Sequence, residues 1–208
     1  MKKILLIIIA VFLACGITYA KGKKTDMPSI KFNGGEYYLY YSAKDDKSGG
    51  YINEYYKANQ SYTSWKDLIA LWHYPNSYSP VEQAKKYREI LSSDGIPCSL
   101  DIDEDDNAAV IDFTLIASKK LPIIVEYNVF KFAKQEKCGS VALQYAKRYR
   151  LNNSLEIDKA KKDIVKRRKK IIKKVNKLEF PQLLNESVDE GKIITHEGTN
   201  QNYDKEFK

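Results

Sequence analysis

Lys166-Arg167-Arg168-Lys169-Lys170 is the densest run of charge in the chain, and residues 159–177 hold eleven basic side chains against one acid, Asp163. A run of this kind attracts phosphate oxygens by charge and counterion release, which makes it a candidate anionic-surface site. The competing account is a solvated helix face, because Ile157, Ala160, Ile164, Ile171, Val175 and Leu178 recur at three- and four-residue steps through the same stretch. A second concentration is aromatic. Ten tyrosines fall between Tyr37 and Tyr78, together with Trp65, Trp72 and His73. Aromatic faces stack on sugars and on other proteins, so Trp65, Trp72 and Tyr74 are candidates for an aromatic contact surface. The plainer alternative is that these rings fill a half-buried sheet.

A third cluster is acidic. Asp101, Asp103 and Asp105 alternate within Asp101-Ile102-Asp103-Glu104-Asp105-Asp106-Asn107, and alternating oxygens are what a hard cation requires. The spacing departs from a calcium loop at Asp106, where glycine is needed, and at Asp112, where glutamate is needed. Strand alternation alone puts these acids on one wet face, so no metal is assigned to them. The usual catalytic constellations are missing from the chain: it has no Gly-x-Ser-x-Gly, His-Glu-x-x-His, Cys-x-x-Cys or glycine-rich phosphate loop. His73 stands alone among aromatics, and no cofactor is expected.

The amino terminus supplies an address. Met1-Lys2-Lys3 is a positive start, Ile4 to Ala14 is an almost unbroken apolar run, and Thr18-Tyr19-Ala20 offers small residues at the cleavage positions. This is the layout of a secretory signal over residues 1–20, with no transmembrane span left after cleavage. Cys15, in Phe12-Leu13-Ala14-Cys15-Gly16, allows a lipoprotein anchor as the minority alternative. Losing Lys2 and Lys3 leaves 33 basic against 27 acidic residues, a net +6. Export to the periplasm or the exterior makes nucleic acid an unlikely partner. An anionic lipid, a wall polymer or another protein suits the basic run there. Export also makes one disulfide, Cys98–Cys138, the simplest fate of the two remaining cysteines.

These candidates must be positioned by elements legible in the pattern. Residues 21–31 look like a polar arm. Glu36 to Ala43 and Tyr51 to Lys57 form a hairpin across the Lys44–Gly50 turn. Ser64 to Asp67 makes a helical turn that feeds a strand from Leu68 to Tyr74. Ser79 caps a helix begun by Pro80, whose apolar face is Val81, Ala84, Tyr87 and Leu91, and Gly95 stops it. A meander follows through Leu100–Ile102, Ile111–Leu115, Val125–Phe132 and Val141–Tyr149. The phase change from Val125, Tyr127 and Val129 to Phe130 and Phe132 suggests a bulge near Val129. Asn153-Ser154 caps a long helix from Leu155 to Leu178, and residues 181–208 look like a flexible polar tail. The expectation is an α+β fold over residues 32–180: an antiparallel sheet, hairpin plus meander, packed on one face by both helices.

Asn53-Glu54-Tyr55, Trp65 through Tyr74, Glu126-Tyr127-Asn128-Val129-Phe130 and Gln144-Tyr145-Ala146 resemble a pattern of small exported bacterial proteins without an assigned function. The resemblance covers about Glu36 to Arg150 and implies export and an α+β domain, with no reaction. The element order is similar to that of PsbP-like domains by fold analogy. The expected function is that of an exported, non-enzymatic envelope or secreted protein binding a macromolecular partner, either a protein or an anionic envelope component. An envelope hydrolase or metal-dependent enzyme is the alternative.

Overall fold

Alternating apolar and polar side chains between turn residues favour strands that pair with their chain neighbours, and here ten strands join one antiparallel sheet. The computed structural model describes residues 28–45, 47–77, 79–103, 105, 107–135, 139–184, 188–189 and 192–193. In chain order the elements are β1 (Ser29–Phe32), β2 (Gly35–Lys44), β3 (Tyr51–Lys57), β4 (Asp67–Tyr74), α1 (Pro80–Ser93), β5 (Cys98–Asp103), β6 (Ala108–Ser118), β7 (Ile123–Gln135), β8 (Gly139–Leu151), α2 (Glu156–Lys177), β9 (Val188–Asp189) and β10 (Lys192–Ile193). Across the sheet the order is β10-β9-β2-β3-β4-β8-β7-β6-β5, and β1 also pairs with β2. The fold is α+β. The signal segment, Cys15, Cys138 and residues 194–208 lie outside the described residues, as do Glu104 and Asp106.

The chain does not turn straight from β4 into β5. It crosses the sheet as α1, reaches the far edge, and walks back through β5, β6, β7 and β8 until β8 pairs with β4. Ser79 accepts a hydrogen bond from the Glu82 backbone N–H and Pro80 stands in the first turn, so α1 begins where its capping chemistry puts it. α2 begins at Glu156, whose backbone N–H donates to Asn153 Oδ1 while Glu156 Oε2 accepts from the Asn152 N–H. This reciprocal arrangement satisfies two donors at the helix start.

The two helices lie on opposite faces of the sheet, which corrects the expectation that both cover one face. Ala160, Ile164, Ile171 and Val175 of α2 pack on Tyr55, Ile69, Val125, Tyr127, Val129, Leu143 and Tyr145. Ala84 and Leu91 of α1 pack on Ile111, Phe113, Phe130, Phe132 and Ala142. A third cluster, Tyr56, Leu68, Ala70 and Ala146 under Trp65, covers the rest of the α1 face. The same arrangement removes the bulge expected near Val129. β7 keeps continuous register with β8 from Ile123 to Gln135. Both of its faces are apolar there because Val125, Tyr127 and Val129 meet α2 while Phe130 and Phe132 meet α1. The actual irregularities fall between Leu39 and Tyr41 and between Ile116 and Ser118.

Two segments expected to be loose are built into the sheet. Residues 29–31 of the expected arm, together with Phe32, form β1. Asn33 and Gly34 both have positive φ, +50° and +78°, the conformation of a two-residue hairpin turn. That turn folds Ile30 and Phe32 onto the core. Beyond α2, Phe180, Leu183 and Leu184 also pack on the core, and Val188 is fully buried beside Ser42. Asn53 fastens this return by accepting from the Leu184 N–H at 2.8 Å and donating to the Leu184 carbonyl at 3.0 Å.

Candidate anionic-surface site

α2 presents the basic run on a helix whose inward stripe is already committed to the core. Lys159, Lys161, Lys162, Lys166, Lys169, Lys170, Lys173 and Lys177 are exposed. Lys162, Lys166, Lys169, Lys173 and Lys177 succeed one another at three- and four-residue steps. They therefore form one ridge of about 22 Å at 1.5 Å per residue. The single acid in this stretch, Asp163, is taken. Its Oδ1 accepts from Arg167 Nε at 2.7 Å and its Oδ2 accepts from the Tyr149 hydroxyl at 2.9 Å. These bonds hold the Asp163 carboxyl below its ordinary value.

The five residues named from the sequence therefore separate. Lys166, Lys169 and Lys170 face solvent, and Arg167 is exposed but paired to Asp163. Arg168 turns inward instead: its Nε and Nη2 donate to Asp112 Oδ2 and Oδ1, both at 2.7 Å. Asp112 is buried on β6 and also accepts from the Tyr127 hydroxyl at 3.2 Å. Arg168 is thus the clamp that holds α2 to the sheet, and it leaves the candidate surface. A bidentate guanidinium suits that role where an ammonium would not.

The aromatic candidates are mainly core. Trp65 is 2 % exposed and lies under the Arg148 guanidinium at 3.6 Å from its ring centroid. Trp72 is half-buried, and its Nε1 donates to Gln144 Oε1, while Gln144 Nε2 donates to Asn128 Oδ1. Tyr74 is half-buried against Phe132. Tyr40, Tyr56 and Tyr62 meet edge to face at 5.0–6.1 Å between ring centroids. Among the described tyrosines of this third, Tyr37, Tyr55 and Tyr56 are buried, and Tyr38, Tyr40, Tyr41, Tyr51, Tyr62 and Tyr74 are half-buried.

One buried polar cluster was not singled out from the sequence. Glu54 is 3 % exposed on the α1 face, and burial pushes its carboxyl up to about 7 even though the Tyr56 hydroxyl donates to it at 2.5 Å. Arg148, next to it electrostatically, is lowered by burial and is paired to Glu126 at 2.6 Å. Shifted ionisation marks active sites only where a cleft gives substrate access. Two of the better-formed concavities among the described residues lie elsewhere. One, of about 210 Å³, is lined by Leu71, Lys134, Val141 and residues 180–183, and the other by residues 31–36.

The remaining candidates stay apart. Asp101 and Asp103 are exposed on one side of β5 and Asp105 is exposed in the following turn, as strand alternation dictates. Among the described residues no three ligating side chains converge. Cys98 is a free thiol. Cys138, the other half of the expected Cys98–Cys138 bridge, lies outside the described residues. No helix among the described residues is long and apolar enough to cross a membrane.

A family model matches residues 25–180, three-quarters of the chain. The chain belongs to that family, one with no assigned activity. The family segment runs from just before β1 to the end of α2, so it contains both helices and all the strands except β9 and β10. No curated protein and no solved structure matches the chain.

Proposed function

We propose that this is an exported, non-enzymatic protein that binds an anionic component of the cell envelope through the outer ridge of α2. The observation that carries this reading is a ridge of exposed lysines in which Asp163, the one acid between Lys159 and Lys177, is already engaged by Arg167 and Tyr149. A solvated structural helix usually interleaves both signs of charge. Here one sign dominates from Lys159 to Lys177, beyond the acidic first turn of Glu156 and Asp158. Lysines act as point charges without bidentate geometry, which suits a repeating anionic surface better than one shaped ligand. The Ile4–Ala20 signal pattern supports export, and the closed packing around Glu54 favours binding over catalysis.

The test replaces Lys166, Lys169 and Lys170 by Gln, leaving Arg168 in place so that α2 stays clamped. Retention on immobilised polyphosphate and on vesicles containing phosphatidylglycerol is measured across a salt series. The triple variant is expected to elute at lower salt from both, with a log–log salt slope smaller by about two. Unchanged elution of a folded triple variant refutes the assignment. Mass spectrometry of the mature amino terminus tests export separately: cleavage after Ala20 is expected, and a lipid on Cys15 would replace it.

A further inference from the structure

Exposed apolar side chains scattered singly need no explanation, but several gathered at one place do. Among the described residues, the large hydrophobic side chains most open to solvent are Leu155 at 87 %, Val165 at 73 % and Leu121 at 71 %. Leu121 and Leu155 belong to one end of the molecule. Ile123 and Leu151 are register partners at the end of the β7–β8 ladder. Leu121 lies two residues before Ile123, in the β6–β7 turn, and Leu155 lies four residues after Leu151, at the entry to α2. Ile116, 44 % exposed, is on β6 across from Val125, two positions from the same edge.

The charges around this end are mostly positive. Lys119 and Lys120 are exposed immediately before Leu121, and Lys159, Lys161 and Lys162 are exposed in the first turns of α2. Two acids are present. Glu156 is half-buried and turned back onto the Asn152 N–H, and Asp158 is exposed. Apolar side chains at turns, with exposed lysines close by in sequence, match a bilayer interface, where acyl chains lie beneath phosphates. A soluble polyanion would use the lysines and gain nothing from the leucines.

We propose that this end of the protein docks on an anionic lipid bilayer, with Leu121 and Leu155 entering the interface and Lys119, Lys120, Lys159 and Lys162 meeting the headgroups. The proposal rests on the reading of α2 as an anionic-surface site and names its partner as lipid. It adds an apolar contribution that salt does not screen, so binding to vesicles should persist at salt concentrations that release the protein from polyphosphate.

The experiment uses the mature chain, vesicles with and without phosphatidylglycerol, and immobilised polyphosphate. Leu121→Ser with Leu155→Ser is expected to lower affinity for anionic vesicles by roughly a hundredfold, since each leucine loses an apolar transfer worth about a tenfold factor. Retention on polyphosphate should stay unchanged. Both side chains are mostly exposed, so the double variant keeps its core. As a second measurement, Leu121→Trp should shift its emission to the blue and be quenched by brominated acyl chains. Equal vesicle affinity for the double serine variant and the parent, with no blue shift, overturns the lipid proposal while leaving the lysine ridge intact. Binding of the parent to polyphosphate alone also overturns it and makes a soluble polyanion the partner. Failure of the parent to bind either ligand overturns the lysine reading as well.

Discussion

Glu54→Gln isolates the cost of burying a carboxylate. Glu54 sits on β3 beneath the cluster made by Trp65, Tyr56 and Leu68, and it is 3 % exposed. Burial raises its carboxyl from an ordinary 4.5 to about 7, against the opposing pull of the Tyr56 hydrogen bond and the Arg148 charge. The folded state therefore holds this proton more tightly than the unfolded chain. Its contribution to stability is fully present below pH 4.5 and is lost as pH rises through about 7. The interval corresponds to about 3 kcal/mol at about 1.4 kcal/mol per pH unit. Gln has the shape of protonated Glu, cannot ionise, and keeps a carbonyl that can accept from Tyr56. The variant should match the parent within about 1 kcal/mol at pH 4.5 and exceed it by about 3 kcal/mol at pH 8. Urea unfolding followed by tryptophan fluorescence reads the difference, since Trp65 and Trp72 both pack against this cluster. The carboxyls held below their ordinary values in the fold, Glu36, Asp45 and Asp163, lose their contribution only toward acid pH and are common to both proteins. If the stability gap between variant and parent is the same at both pH values, or if the variant is the weaker at pH 8, Glu54 is not a buried carboxylate of this kind.

Arg168→Ala removes the clamp on Asp112 and leaves that buried carboxylate accepting from the Tyr127 hydroxyl. A loss of about 2 kcal/mol in urea unfolding is expected, at the low end for a broken buried pair because Arg168 is partly exposed. A loss below about 0.5 kcal/mol would mean that α2 is held by its apolar stripe alone. Gly139→Ala puts a Cβ 2.3 Å from the Tyr74 carbonyl oxygen at a φ of +89°. It should cost roughly 2–4 kcal/mol or prevent folding, and a Tm within 2 °C of the parent would rule out this close approach. Asn53→Ala removes both hydrogen bonds to Leu184. It should cost about 1–2 kcal/mol and speed proteolysis between Phe180 and Asp189. Unchanged cleavage there would show that the return segment is held by Val188 and Phe180 without Asn53.

Local chemistry was legible in the chain where one residue type decides one conformation. Ser79 with Pro80, Gly95, and the alternation from Leu100 to Tyr149 specify α1 and the antiparallel meander without reference to anything distant. The lysines of α2 and its apolar stripe were also legible, because period and charge are properties of the helix itself. Asn33-Gly34 carries a hairpin signal of the same local kind, but Ile30 and Phe32 on its amino-terminal side are too few to show alternation.

Tertiary structure decided everything that depends on what lies across the sheet. A strand covered on both faces loses its alternation, so Val129 followed by Phe130 looks like a slip in phase until α1 and α2 are found on opposite sides. Arg168 and Lys169 are equivalent in a charge count, and only the position of Asp112, 56 residues earlier, turns one inward and leaves the other free. Leu121 and Leu155 are 34 residues apart and unremarkable singly, and the β7–β8 register brings them to one end. Burial, pairing and proximity are set by residues distant in sequence, whereas turn type, helix caps and periodicity are set by neighbours within four positions.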